Sequence, residues 1–264
     1  MPELAEVAFA CSKWDAGVGK KVFGVYTHPT SKVYRDERRD CFVECLQNST
    51  LLSSYTHGKQ MLFKFSGNIF IGIHLGMTGN LILGAKNYKQ QKQDALVIIQ
   101  SQNSLVFQDP RQFGRIRIHK GKNLPSWWRN LPPSIIEKKF NSEILESAIF
   151  RHRRKPIKAL LLDQRYFPGI GNWMADEILW RSMLNPGKLC EKITESEIKK
   201  LFNEILFVAR GAMKSIGVKG GDPPKNWLFH KRWNNGNLCP KTKTALVRET
   251  IGGRTTCWAP AIQC

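Results

Sequence analysis

A chain of 264 residues in which 41 lysines and arginines face 21 acidic residues carries a formal charge of +20, more than solubility asks for, and points to a polyanion, nucleic acid first, as its partner. Hydrophobic residues at 42% can fill one large core or two of ordinary size, which excludes a disordered chain, and no run is long and apolar enough to span a membrane. Lys13, Asp15, Lys20 and Lys21 break up any apolar leader, so the seven cysteines are expected to be free thiols in a reducing intracellular setting.

The chain opens Met1-Pro2-Glu3-Leu4-Ala5-Glu6-Val7. Once Met1 is removed, Pro2 carries a free secondary amine. An α-amino group has a pKa near ~8, against ~10.4 for lysine, so an appreciable fraction is neutral and nucleophilic at cellular pH. Such amines form Schiff bases with masked carbonyls, and Glu3 and Glu6 stand beside this one as acid/base groups. Acids near a terminus are more often simply solvated, so the stretch needs support from elsewhere in the chain.

Residues 7–14 have helical spacing. Alternation at 21–26, 51–55, 61–65, 69–73, 95–99, 105–107 and 114–118, with polar or glycine-bearing turns between, predicts short strands in an antiparallel β-sandwich. Residues 121–133 read as a proline-bearing linker. Helical periodicity then takes over at 142–146, 155–163, 171–182 and 195–214, the last with Thr194 as its N-cap. Residues 227–233 and 245–249 are expected to be short strands closing the chain as a hairpin. The fold class is therefore α+β, in three parts: a β-sandwich over 1–130, a helical domain over 131–225 and a terminal hairpin over 226–264.

Three internal motifs carry chemistry. His57-Gly58-Lys59 places a lysine on a turn where glycine lets the backbone approach a ligand, although a lysine there is more often solvated. Met77 in Leu75-Gly76-Met77-Thr78-Gly79 and Arg111 and Phe113 in Asp109-Pro110-Arg111-Gln112-Phe113-Gly114 combine an apolar wedge, a planar charged fork and an aromatic ring, the groups needed to fill the gap left when a base is turned out of a duplex. They could equally be two core residues and a surface charge. The third motif, 158–180, runs from Lys158 through Gly169-Ile170-Gly171-Asn172 into a second helix, and the amides near Gly169 and Gly171 with the Asn172 side chain predict a phosphate-binding helix N-terminus.

With these motifs in place, the chain resembles the formamidopyrimidine-DNA glycosylase and endonuclease VIII family from end to end: in Pro2-Glu3-Leu4-Ala5-Glu6-Val7, the hairpin lysine, the loop triad, the helix-two-turn-helix and Gly252-Gly253-Arg254-Thr255-Thr256. The resemblance implies a bifunctional glycosylase and abasic-site lyase acting on double-stranded DNA that contains damaged bases or abasic sites. It implies a two-lobed monomer with DNA in the cleft, no cofactor and no membrane. By that resemblance Pro2 would be the nucleophile, Glu3 the acid/base that opens the sugar, Glu6 a second carboxylate and Lys59 a further acid/base contact. Asn172 with the turn amides, Lys158 and Arg254 would grip DNA, Arg254 beside the reacting centre. The presence of all three of Met77, Arg111 and Phe113 resembles the branch acting on oxidised purines such as 8-oxoguanine and formamidopyrimidines. An endonuclease VIII-like enzyme for oxidised pyrimidines, a DNA-binding protein with a dead site, and an RNA-binding protein supported by charge alone stay open as alternatives.

Two departures from the family pattern stand out. Ala5 occupies the place of a usual second proline. Of the family's four metal-binding cysteines only Cys239 remains: Thr242 holds its partner's place, and the closing pair would fall at Ala259 and Ile262. A structural zinc needs four ligands in tetrahedral array, so a zincless finger is expected, held by packing of Trp227, Leu238, Leu246, Val247, Ile251 and Trp258.

Overall fold

The computed structural model describes residues 1–35 and 37–264, and divides them into two compact units, one of residues 1–2 and 6–131, the other of residues 3–5 and 132–264. The divide thus falls inside the N-terminal helix, α1 (Leu4–Ser12).

The first unit is a β-sandwich. Its strands are β1 (Val22–Thr27), β2 (Leu51–His57), β3 (Gln60–Phe65), β4 (Ile69–His74), β5 (Asn80–Ala85), β6 (Asp94–Gln100), β7 (Asn103–Gln108) and β8 (Arg115–Lys120). They form two four-stranded sheets in the orders β1-β6-β7-β5 and β2-β3-β4-β8, every pairing antiparallel. The period of two sends Phe63, Phe65, Ile71, Ile73, Ile98 and Phe107 into one core with Trp14. Burial of each such side chain contributes roughly 1.5–3 kcal/mol. Two elements lacked a sequence signal: the polar helix α2 (Arg39–Leu46), which buries only Phe42 and Leu46, and β5, where Leu81 is buried but Leu83 is exposed. The expected linker at 121–133 carries a short helix, α3 (Ser126–Arg129), whose Trp127 lies on Gly72; a Cβ there would come within 2.3 Å of the ring.

The second unit is helical, with α4 (Ser142–Arg151), α5 (Ile157–Leu161), α6 (Asn172–Ser182) and α7 (Glu195–Ala212) around a core that includes Leu4 and Ala5. Thr194 caps α7 through a reciprocal pair: its hydroxyl accepts from Glu197 N while the Glu197 carboxylate accepts from Thr194 N. The chain closes on the hairpin β9 (Val247–Ile251) and β10 (Arg254–Trp258), joined by Gly252 and Gly253 at φ 60° and 75°, the left-handed values a two-residue hairpin turn requires. The strand expected at 227–233 is instead a 3₁₀ turn over Leu228–His230. Trp227, Leu228 and Arg232 all turn inward there, which an alternating strand could not do.

Candidate active site

The chain start is tied down within the second unit. Glu3 is 3% exposed, and its carboxylate accepts from the amides of Gly171 (2.9 Å), Trp173 (2.9 Å) and Met174 (3.1 Å), the unpaired donors of the first turn of α6. Leu4 N donates to Gly169 O at 3.0 Å. A Cβ on Gly171 would lie 2.2 Å from the Glu3 carboxyl carbon, and Gly169 sits at φ 105°, so both glycines serve to seat the N-terminal stretch. This corrects the phosphate reading of their amides: Gly171 N is taken by Glu3, and Gly169 N donates to Gln164 Oε1 at 3.1 Å. Pro2, one bond before this anchor, is half-buried, as is Glu6 on α1.

The face of α6 formed by residues 172, 176 and 180, spaced four apart, holds the C-terminal segment. Asn172 Nδ2 donates to Thr255 O at 2.8 Å and Trp180 Nε1 to Cys239 Sγ at 3.3 Å. Between them Asp176 pairs with Lys158 through one carboxylate oxygen. Its other oxygen accepts from Arg232 Nη2 (2.6 Å), Arg232 Nε (3.1 Å) and Cys257 N (3.2 Å). Lys158, expected to contact DNA, is 0% exposed and belongs to this knot. That is a second correction, because a lysine on the apolar face of α5 that is paired with a buried carboxylate cannot reach a ligand. Neighbouring Glu177 accepts from Phe229 N at 3.1 Å, and burial pushes its carboxyl up to about 7. Arg254 begins β10 exposed, while the backbone of Thr255 and Cys257 just after it is gripped by α6.

The hairpin's apolar support also differs from expectation. Leu246 joins Trp180, Leu228, Cys239, Cys257 and Ala259 in a separate small core, whereas Leu238 and Val247 are exposed and Trp227 packs in the helical core. The donor set does not fit the family's zinc. Cys239 is bonded by the Trp180 indole, burial pushes the Cys257 thiol up to about 11, and among the described residues no three of His, Cys, Asp and Glu converge on a metal-holding point. Chelation is therefore expected to leave activity within about twofold of the untreated protein, since structural zinc sites tie metal loss to unfolding. Elemental analysis finding close to one zinc per chain, with activity lost on chelation, would contradict this.

In the first unit, the loops carrying Met77 and Arg111 with Phe113 are pinned together. Asp109 is 2% exposed and accepts from Thr78 Oγ1 (3.0 Å) and Gly114 N (2.6 Å). Gly76, at φ 62°, leaves no room for a Cβ, which would lie 2.5 Å from the Phe113 carbonyl carbon. Met77 and Phe113 remain 40% and 50% exposed, and the Arg111 guanidinium lies 4.9 Å from the Phe113 ring centroid. These side chains are thus held on a fixed platform and not spent on the core.

Lys59 follows Gly58, at φ 56°, on the β2–β3 turn and is half-buried. Burial, followed by the charges of Lys59, Arg117 and Arg35, holds His74 below its ordinary pKa. Gly76 N donates to its Nδ1 at 3.1 Å, leaving Nε2–H as the free donor of a neutral ring. Sequence reasoning passed over His74, Asp109 and Asp176. The available signal was the same for both acids: a carboxylate in or beside an apolar run, with donors nearby in space and not in sequence.

Residues 1–116 match the family model described as formamidopyrimidine-DNA glycosylase N-terminal domain, and residues 131–220 that of the formamidopyrimidine-DNA glycosylase H2TH domain. Among curated proteins, the formamidopyrimidine-DNA glycosylase of Pelotomaculum thermopropionicum is 30% identical over 275 residues, covering 100% of this chain and 99% of its own. That of Carboxydothermus hydrogenoformans is 28% identical over 272 residues, with 100% of both chains covered. Among solved structures, the Lactococcus lactis Fpg (MutM) complex with N7-Benzyl-Fapy-dG containing DNA has a TM-score of 0.87 at 22% identity, over 99% of each chain. A Lactococcus lactis Fpg complex with abasic-site DNA gives 0.86 at 21%, also over 99% of each. At these identities the structural likeness speaks for the fold.

Proposed function

Because the chain belongs to the formamidopyrimidine-DNA glycosylase family, and is in consequence a DNA glycosylase of base-excision repair, we propose that it removes oxidised purines and then cleaves the strand through a Schiff base on Pro2. The observation that carries this reading is the seating of Glu3 on three amides of α6. It fixes the chain start one bond from the proposed nucleophile, where a solvated terminus would wander.

In this mechanism the Pro2 nitrogen attacks C1′ of a flipped nucleotide, and the bond from C1′ to the base breaks as the base departs with the electron pair and takes up a proton. Glu3 accepts the proton from the Pro2 nitrogen and delivers it to O4′ as the sugar ring opens to an iminium. Loss of a C2′ proton then breaks the C3′–O3′ bond, releasing the downstream strand with a 5′-phosphate, and water frees Pro2 by hydrolysis. Glu6 and Lys59 are the further proton carriers. Met77, Phe113 and Arg111 fill the vacated space and bond the orphaned base, a role supported by their exposure on the platform that Asp109 pins. Asn172, which keeps a second N–H after bonding Thr255 O, and Arg254 hold the flanking phosphates.

A panel of duplexes, each with one lesion, tests the substrate class. Release of 8-oxoguanine and formamidopyrimidines, each coupled to strand scission, is expected to exceed release of oxidised pyrimidines by about 10-fold or more, the scale that one or two specific base contacts supply. The reverse order would favour the endonuclease VIII-like alternative. Tight lesion binding without base release would favour a DNA-binding protein with a dead site.

A further inference from the structure

Within the first unit the outer face of the sheet β2-β3-β4-β8 holds a pocket of about 290 Å³ lined by Arg35, Arg115, Arg117, His74, Phe113 and Trp127. Arg115 and Arg117 alternate on β8, so both guanidinium groups leave the same face of the sheet, opposite His74 and Gly72 of β4. Trp127 lies against Gly72, and the Arg117 guanidinium sits 5.4 Å from its ring centroid. Arg35 comes from a third element, the end of a 3₁₀ turn, with φ 51° and ψ −111°, a backbone conformation costly for any residue with a side chain.

These three cations are crowded together. Among the described residues no carboxylate lies within ion-pairing distance of any of them, and Arg115 Nε is buried with no hydrogen-bond partner. Partial burial, then the charges of Arg115 and Arg35, pull Arg117 below its ordinary pKa, with Glu37 the opposing carboxylate. A fold meets such a cost on its own account only weakly. A dianion in the pocket would relieve it, through forked hydrogen bonds that match phosphate geometry. The neutral His74 adds a donor at the same opening.

We propose that Arg35, Arg115 and Arg117 form a subsite for a terminal phosphomonoester, the group that strand cleavage leaves on a nicked product. The choice of a monoester over a chain phosphodiester rests on charge. A phosphomonoester carries roughly −1.5 to −2 at neutral pH against −1 for a diester, so it alone approaches the charge of three arginines. The inference rests on the lyase reading for the source of the end, but the binding itself does not need catalysis. In its presence the enzyme would retain nicked DNA, shielding the break until the next repair step.

The test is equilibrium binding of the full-length protein, at fixed salt, to duplexes with a one-nucleotide gap whose ends bear a 5′-phosphate, a 3′-phosphate or hydroxyls only. One phosphorylated end is expected to bind about 10-fold more tightly than the hydroxyl-ended gap, the scale of one or two charge-assisted hydrogen bonds, and the two arms identify which end enters the pocket. Arg115→Gln with Arg117→Gln should reduce that preference to below about twofold. Arg117→Gln alone, at a partly exposed position, should reduce it in part and guards against a folding defect in the double variant. Equal binding to phosphate and hydroxyl ends, or a preference unchanged in both variants, would overturn the proposal. Base release from an intact lesion duplex, measured in parallel on the unaltered protein, separates failure of this inference from failure of the glycosylase and lyase reading.

Discussion

Replacing Asp176 by alanine is expected to cost about 3–5 kcal/mol of folding stability, the range for removing one partner of a buried ion pair. Lys158 is 0% exposed and Arg232 6%, so neither cation could turn to water without opening the packing between α5, α6 and the terminal segment. Desolvation already pulls Lys158 below its ordinary pKa, and Asp176 is the group that pushes back. Without Asp176 the folded pKa of Lys158 falls further below its unfolded value. Over the interval between the two values the unfolded chain then binds more protons than the folded one, and stability rises with pH. The deficit of the variant should therefore narrow as pH is raised from 7 toward 10, though not close, because Arg232 stays charged. Denaturant melts of both proteins across that range check the expectation; a variant within about 0.5 kcal/mol of the parent would remove Asp176 from its role. The same melts, followed by DNA binding, would show whether the knot stands in for the missing metal by holding β10, on which Arg254 rides.

Every strand of the sandwich but β5, and the long helices, were legible because their periods of two and 3.6 are local properties of the chain. So was the Thr194 cap, whose partner Glu197 is three residues away. What escaped the sequence was set by contacts distant along the chain. Gly169 and Gly171 were correctly seen as a tight turn at a helix N-terminus, but the anion on that helix is Glu3, some 168 residues earlier. Lys158 was expected to contact DNA through the family resemblance of its motif, and only the placement of Asp176 and Arg232 around it shows a buried pair. The 3₁₀ turn at Leu228–His230 replaced an expected strand for the same reason: Glu177 and Asp176 capture Phe229 N and Arg232 from α6. Met77, Arg111 and Phe113 were found by chemical type, while the buried Asp109 that pins their loops has no local signature.

The largest catalytic effect is expected at the chain start. Glu3→Gln should lower base excision by about 10²–10⁴-fold, the usual contribution of a positioned acid/base group. It should also lower stability by about 1–3 kcal/mol, because the glutamine NH₂ would face one of the three amide donors and leave it unpaired. Assays of this variant therefore belong well below its melting temperature. Retention of Met1 should abolish turnover altogether, since Pro2 would then be an amide nitrogen without basicity. Both expectations converge on one measurement: borohydride reduction during turnover on a single-lesion duplex, followed by peptide mapping of the cross-linked protein. A reduced adduct on Pro2, absent from protein that keeps Met1, is the result expected here; an adduct on Lys59 or another internal lysine, or trapping undiminished when Met1 is kept, would contradict it.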